Sequence, residues 1–189
     1  LKYAVRRQEE TIYYKRLRMA NPEMSRFKDL ILYNLEAGEA VLTDNNDIRV
    51  YTDGKEKFRA LIEEMKQAKR YIHMQYYIIR NDELWQEVEK VLIQKAREGV
   101  AVRVLFDSMG CRTMKNRDWE RLEKEGIQVA EFFPALLGQL QLRVNYRNHR
   151  KIVVIDGRVG FVGGFNVGRE YLGRDKKFGY WRDTHLCIE

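Results

Sequence analysis

The most informative run of residues is His149-Arg150-Lys151-Ile152-Val153-Val154-Ile155-Asp156-Gly157, which is followed by Gly163-Gly164-Phe165-Asn166. The apolar run from Ile152 to Ile155 predicts a buried β-strand. Alternate residues of a strand face the same side, so His149 and Lys151 are predicted to point at one site. Lysine supplies positive charge, and histidine supplies a nucleophile or a proton carrier. The pair therefore suits chemistry on a phosphate ester.

This stretch resembles the HKD motif of the phospholipase D superfamily, in which His-x-Lys-x-x-x-x-Asp is followed by Gly, then Ser or Gly, any residue and Asn. Residues 51–54, 57–58, 71–78 and 181–185 are similar to the first half of bacterial cardiolipin synthases. The resemblance covers about residues 40–189. It implies a phosphatidyltransferase that works through a phosphohistidine and needs no metal or other cofactor.

The resemblance also implies roles for single residues of the motif. His149 is expected to be the nucleophile that attacks phosphorus, while Lys151 and Asn166 bind phosphate oxygens. Gly163 and Gly164 are expected to let the backbone approach the phosphate closely. Many members of the family have serine where this chain has Gly164, which removes a possible hydroxyl donor.

Two carboxylates compete for the task of orienting His149. Asp156 belongs to the catalytic motif by name, but it lies an odd number of residues from Lys151 and is expected to face away, as a salt bridge or a turn cap. The resemblance assigns the orienting carboxylate to Asp183, which would fix the tautomer of the imidazole. The alternative is that Asp183 is a surface charge beside Arg182.

Further residues near the motif have two possible readings. His73 and Gln75 share one face of a predicted strand and are expected to line the substrate pocket, although His73 could equally be a core histidine. Asp107 follows a buried strand, where α/β sheets place ligand-binding groups, or it is a turn residue. His185 is expected to be structural, and Cys111 and Cys187 are expected to be free thiols.

Strands that alternate with helices predict an α/β fold: a phospholipase D-like lobe with a mixed, largely parallel β-sheet flanked by helices and preceded by N-terminal helices. We expect a basic helical, juxtamembrane segment over residues 1–46 and the lobe over residues 47–189. The predicted helices are 5–20, 23–35, 55–68, 83–97, which Asp82 can cap, and 116–125. The predicted strands are 48–51, 71–79, 100–106, 127–133, 152–155, 158–162 and 184–188.

The net charge of +7 is concentrated in two places. Residues 1–20 contain six basic and two acidic residues, and residues 143–151 contain four basic residues and no acidic one. The first group suits an anionic membrane surface and the second an anionic substrate. We expect phosphatidylglycerol as the phospholipid partner and no nucleic acid.

The resemblance implies transmembrane helices before Leu1 and a second HKD lobe after Glu189. We therefore expect this chain to be a soluble piece of a longer protein that acts at the cytoplasmic side of the cell membrane. The family needs two catalytic histidines, so the second must come from that other lobe or from a second copy of the chain. The alternatives are a phospholipase D or single-lobe dimeric nuclease, and a lobe that binds lipid headgroups without turnover.

Overall fold

The structure is a computed structural model that describes residues 3, 6, 7, 22–43, 45–133 and 146–189. The chain divides into two compact units, Leu1–Asn46 and Asp47–Glu189. The predicted basic helix over residues 5–20 lies outside the described residues except at Arg6 and Arg7. No helix within the described ranges is both long and apolar enough to cross a membrane.

The first unit contains one described helical segment. A 3-10 helix at Pro22–Phe27 leads directly into the α-helix α1 at Lys28–Gly38, which confirms the predicted helix and extends its end. Ile31 and Leu35 are buried there. The side chains that pack against them are Met24, Leu32, Val41 and Leu42.

The second unit is a seven-stranded sheet with helices. Its strands are β1 (Ile48–Asp53), β2 (Tyr71–Tyr76), β3 (Ala101–Asp107), β4 (Gln128–Phe132), β5 (Ile152–Ile155), β6 (Val159–Gly163) and β7 (Arg182–Ile188). Its helices are α2 (Gly54–Gln67), α3 (Glu83–Arg97), α4 (Asn116–Lys124) and a 3-10 helix at Arg169–Leu172. The strands and α-helices predicted for this unit are confirmed.

The strand order is β1-β7-β6-β5-β2-β3-β4. The mixed sheet of a phospholipase D-like lobe is confirmed, but the expectation of a largely parallel sheet is wrong. Among the described strands only β2–β3 and β3–β4 pair in parallel, and the other four pairings are antiparallel. The reason lies in the connections. A helix connects β2 to β3 and another connects β3 to β4, so these neighbours run parallel, whereas a tight turn joins β5 to β6 and reverses the chain.

Two helices begin at aspartate caps. Asp53 accepts hydrogen bonds from the backbone N–H groups of Lys55 and Glu56 at the start of α2. Asp82 does the same for Leu84 and Trp85 at the start of α3, as the sequence predicted. Such caps satisfy N–H groups that have no partner within the helix.

The sheet has one face buried by α2, α3 and α4. Alternate residues of β2, namely Ile72, Met74 and Tyr76, belong to that core. The intervening residues His73 and Gln75 face the opposite side, where a groove of about 410 Å³ runs across β2 to β5. The period of two along β2 therefore separates the hydrophobic core from the groove.

Candidate active site

The motif lies where the carboxyl ends of β2 and β3 meet the start of β5. β5 runs antiparallel to β2 with Gln75 opposite Ile152, so the residues that precede Ile152 extend past the end of β2. β3 runs parallel to β2 and ends at Asp107 on the same edge. His149, Lys151 and Asp107 are thereby gathered at one edge of the sheet.

Lys151 is folded back onto His149. Its Nζ lies 2.9 Å from Nδ1 of His149 and donates a 2.6 Å hydrogen bond to the carbonyl oxygen of the same residue. Lys151 is only 3% exposed, whereas His149 is exposed to solvent. The expectation that the two side chains share one site is confirmed.

Burial and neighbouring charges together set the charge state of both groups. Burial lowers the pKa of Lys151 to about 8, against the attraction of the Asp183 carboxylate. Burial and then the charge of Lys151 lower the pKa of His149, while Asp107 acts in the opposite direction. Since an ammonium can only donate hydrogen bonds, Nδ1 of His149 accepts and the ring proton is on Nε2. At neutral pH the site therefore combines an uncharged imidazole with a largely charged lysine.

Asp107 is a fully buried carboxylate that holds the backbone just ahead of His149. Its Oδ2 accepts a 3.0 Å hydrogen bond from the N–H of Asn148, and its Oδ1 accepts one of 2.9 Å from the N–H of Met109. The guanidinium of Arg147 lies 3.8 Å from Oδ1. Asp107 is thus a turn cap that also supports the motif, a role that the sequence did not reveal because the two segments lie 41 residues apart.

Tyr77 packs against both motif side chains. Its ring centroid lies 4.6 Å from that of His149 and 5.4 Å from Nζ of Lys151. An aromatic face beside a lysine stabilises the positive charge and excludes water from one side. Sequence analysis placed Tyr77 on the same face of the predicted strand as His73 and Gln75, the face that is expected to line the substrate pocket.

Gln75 and His73 occupy different surroundings although they share a face of β2. Gln75 donates a 2.7 Å hydrogen bond to Oδ1 of Asn148 and so touches the residue before His149. The side chain of His73 instead stacks on Tyr71 and lies 2.9 Å from a guanidinium nitrogen of Arg103. The structure brings Gln75 to the edge of the site and leaves His73 in the groove.

Both the oxygen and the nitrogen of the Asn166 side-chain amide are hydrogen-bonded. Its Oδ1 accepts a 3.0 Å hydrogen bond from the N–H of Ile78, and its Nδ2 donates one of 2.8 Å to the hydroxyl of Tyr171. The residue is 4% exposed. An amide nitrogen carries two N–H donors, so one remains for an anion. Tyr171, which sequence analysis did not single out, therefore positions Asn166.

Gly163 and Gly164 allow β7 to lie close to β6. A Cβ on Gly164 would overlap the carboxylate of Asp183, and one on Gly163 would lie 2.7 Å from Cγ of His185. The space in front of each glycine is therefore filled by a residue of β7. The expected approach of phosphate to these glycines stays a prediction.

The carboxylate of Asp183 differs from the expectation in its contacts. Asp183 accepts a 2.7 Å hydrogen bond from the N–H of Thr184, and within the described residues it makes no hydrogen bond to His149. The predicted Asp183–His149 hydrogen bond is therefore not formed in this structure, and a role of Asp183 in orienting the imidazole stays a prediction. The reason is its position over Gly164, where the carboxylate acts on Lys151 through its charge rather than on the imidazole by contact.

Asp156 is a structural residue, as predicted. Its carboxylate accepts 2.8 Å hydrogen bonds from the backbone N–H groups of Lys69, Arg70 and Tyr71. Its own backbone is in the left-handed region, with φ of 57° at the turn between β5 and β6. Although burial opposes ionisation, the three N–H donors lower the pKa of this carboxyl. Asp156 thus locks the turn. Within the described residues its side chain makes no hydrogen bond to His149, Lys151 or Asp107, which together are called the motif edge below.

A second group of polar side chains, Lys57, Tyr76 and His185, lies inside the core and is called the interior cluster below. Lys57 is fully buried, donates a 2.7 Å hydrogen bond to the hydroxyl of Tyr76 and lies 3.7 Å above the ring of Phe58. Burial lowers the pKa of Lys57 well below its usual value. Neither ring nitrogen of the fully buried His185 has a hydrogen-bond partner in the described part of the chain.

Burial, followed by the charges of Lys57 and Lys151, lowers the pKa of His185 to about 2. His185 is therefore uncharged at any ordinary pH. Within the described ranges, no three His, Cys, Asp or Glu side chains are grouped so that they could hold a metal ion.

Comparison with known proteins identifies the family. The family described as cardiolipin synthase, PLD-like domain, matches residues 61–178, so the chain belongs to this family of the phospholipase D superfamily. The chain is 50% identical over 167 residues, 88% of its length, to a cardiolipin synthase of Oceanobacillus iheyensis. It is 47% identical over 185 residues, 98% of its length, to the major cardiolipin synthase ClsA of Bacillus subtilis.

The chain spans only 35% and 38% of the lengths of these two relatives. Among solved structures, the phosphatidylserine synthase of Haemophilus influenzae Rd KW20 is similar in fold, with a TM-score of 0.58 and 20% identity. That likeness covers 75% of this chain and 32% of the other. It supports the phospholipase D-like fold of the lobe.

Proposed function

We propose that the chain is the first catalytic lobe of a phosphatidyltransferase that makes cardiolipin from two molecules of phosphatidylglycerol and releases glycerol. The observation that carries the proposal is the exposed, uncharged imidazole of His149 in contact with the buried ammonium of Lys151. The free N–H of Asn166 supplies a further donor for phosphate oxygens. The cardiolipin synthases to which the chain is similar support the choice of lipid.

The proposed reaction has two displacements at one phosphorus atom. A ring nitrogen of His149 attacks the phosphorus of the first phosphatidylglycerol, the bond to the glycerol oxygen breaks, and that oxygen leaves after taking a proton. A hydroxyl oxygen of the second phosphatidylglycerol then attacks, loses its proton to a base and breaks the phosphorus–nitrogen bond. Lys151 and Asn166 offset the negative charge of the phosphoryl oxygens in both steps.

The tautomer of His149 must change for attack through Nε2, because that nitrogen now carries the ring proton. We infer that a bound phosphate draws Lys151 away from Nδ1, which then takes the proton. Asp183, whose charge acts on Lys151, would accept a hydrogen bond from this Nδ1–H only after it leaves the space over Gly164. Asp183 would then act as a positioning residue for the imidazole.

The proton for the leaving glycerol requires a second acid. The chain has three histidines, His73, His149 and His185. His185 has a pKa of about 2, and His73 contacts Arg103 in the groove. We therefore propose that a second HKD lobe, from the rest of the protein or from a second copy of this chain, supplies the acid. The assembled enzyme would work at the cytoplasmic side of the cell membrane.

The test is cardiolipin formation by the full-length protein with His149→Ala, in mixed micelles that contain phosphatidylglycerol. Loss of the nucleophile should remove activity to the detection limit. The matched control is His73→Ala, which removes the histidine that lies in the groove and should retain most activity. Near-normal cardiolipin formation by His149→Ala would contradict the assignment.

The exposure of His149 favours one rival reaction. Water that reaches the phosphohistidine would release phosphatidic acid, which is the outcome of a phospholipase D. The two reactions are separated by their products, because transfer gives one cardiolipin for each glycerol released and hydrolysis gives one phosphatidic acid. A product mixture made almost entirely of phosphatidic acid would favour the hydrolase.

A further inference from the structure

Residues 173–182, called the aromatic loop below, form an exposed basic and aromatic surface that ends at Arg182, the first residue of β7. Phe178 is 53% exposed and Tyr180 is 69% exposed. The loop contains four basic residues and one acidic residue. The basic residues are all exposed, and they are Arg174, Lys176, Lys177 and Arg182.

The loop is held in shape by its acidic residue, Asp175. The Asp175 carboxylate accepts a 2.9 Å hydrogen bond from the N–H of Lys177 and lies 3.6 Å from Nε of Arg169. The Asp175 carbonyl accepts a 2.9 Å hydrogen bond from the N–H of Gly179. The negative charge of Asp175 is therefore engaged by the N–H of Lys177 and by Arg169. The basic side chains of the loop and the rings of Phe178 and Tyr180 are exposed.

A chain of contacts links the loop to the candidate active site. The ring of Phe178 lies 5.7 Å from that of Trp181, which lies 5.0 Å from the ring of Tyr171. The hydroxyl of Tyr171 accepts the hydrogen bond from Asn166. Asp183 follows the loop directly at the start of β7. The loop therefore lies at the same edge of the sheet as the motif.

We propose that the aromatic loop is the surface through which this lobe contacts an anionic lipid bilayer. Aromatic rings are favoured at the level of lipid headgroups, because one part of the interface is apolar and the other is wet. Basic side chains beside them are attracted to anionic lipids. This inference rests on the proposed function, because the proposed substrate is a lipid of the bilayer. It assigns the membrane contact to the aromatic loop of this lobe.

Trp181 gives a local readout of this contact. The chain has three tryptophans. Trp85 is fully buried, Trp119 is 8% exposed, and Trp181, within the loop, is half-buried. The purified chain is mixed with vesicles of phosphatidylglycerol and phosphatidylcholine whose acyl chains carry bromine, which quenches nearby tryptophan emission. We expect quenching that disappears in Trp181→Phe. Co-sedimentation without quenching would place the membrane contact elsewhere and overturn the proposal.

Variants test the two components separately by vesicle co-sedimentation. Lys176→Gln with Lys177→Gln should weaken binding by about fivefold per charge removed, and added salt should reduce the difference. The charge control is Lys90→Gln with Lys124→Gln, two exposed lysines on α3 and α4, which should bind as the unchanged chain does. An equal loss of vesicle binding in the two double variants would show a general effect of net charge and overturn the proposal.

The aromatic component is tested by Phe178→Ala with Tyr180→Ala. This variant should bind several-fold more weakly, whereas Val50→Ala, at an apolar residue of β1 that is 61% exposed, should not. Binding to single-stranded DNA but not to vesicles would also overturn the proposal. Because binding is read without turnover, its failure is distinct from failure of the proposed reaction, which His149→Ala tests in the full-length enzyme.

Discussion

The motif edge and the interior cluster each contain a buried lysine, but only one lysine has access to a ligand. Lys151 is 3% exposed and touches the solvent-exposed His149. Lys57 is 0% exposed and is enclosed by Tyr76 and Phe58. Burial lowers both pKa values, but that of Lys151 is about 8, so it keeps its charge at neutral pH. Burial alone therefore does not identify a functional lysine, whereas burial beside an open reactive group does.

The largest effect should come from Lys151→Met compared with Lys57→Met in the full-length enzyme. Removal of Lys151 takes away a preorganised charge and should lower kcat by about 10²–10³-fold. Lys57→Met keeps the side-chain volume and removes an amine that has no carboxylate partner among the described residues, so kcat should change little. Steady-state kinetics on phosphatidylglycerol provides the measurement.

Equal losses of kcat in these two variants would break the distinction between the motif edge and the interior cluster. Urea denaturation of both variants should accompany the kinetics. A loss that follows a lower free energy of unfolding reports misfolding rather than chemistry.

A smaller effect should appear in the pH dependence of stability for His185→Leu. In the folded chain the pKa of His185 is about 2, against an ordinary value of 6.5. Below pH 6.5 the unfolded chain therefore takes up a proton that the folded chain does not, and stability falls as the pH falls. The substitution should remove about 2 kcal/mol of the loss between pH 7 and pH 5.

Urea denaturation at several pH values measures this difference. The matched control is His73→Leu, at a partly buried histidine whose pKa is lowered by burial and by Arg103. It should change the pH dependence less than His185→Leu does. An unchanged acid dependence in His185→Leu would mean that this imidazole is not held uncharged in the interior cluster.

The smallest effect should come from Gly164→Ser. The new Cβ would overlap the carboxylate of Asp183, which is the end of a side chain that can rotate away. Stability should change by about 1 kcal/mol or less, because the backbone need not move. If the carboxylate turns toward His149, the pKa of that imidazole should rise, since a nearby negative charge favours its protonated form.

Titration of the histidine ring protons by NMR measures this change in the isolated chain. Gly160→Ser is the matched control on β6, where a Cβ would meet only an ordinary contact 4.0 Å away. A His149 pKa that is the same in both variants would argue against a mobile Asp183.

Much of the lobe follows from local sequence patterns. The apolar period of two predicts the strands, and Asp82 predicts the start of α3, because both depend on residues a few positions apart. The spacing of His149 and Lys151 likewise predicts their contact at one site. The antiparallel half of the sheet was missed, because a strand has the same local pattern in either direction of pairing.

Local patterns in the sequence were enough to find the family that the motif resembles, the positions of the strands and helices, and the candidate nucleophile. Three contacts emerged only from the folded lobe: Asp107 supports the motif, Tyr171 holds Asn166, and Asp183 lies over Gly164. The first and last of these contacts each join the end of one strand to a residue just outside another strand. Their distances depend on register and on the packing of the sheet edge, which short-range spacing does not specify.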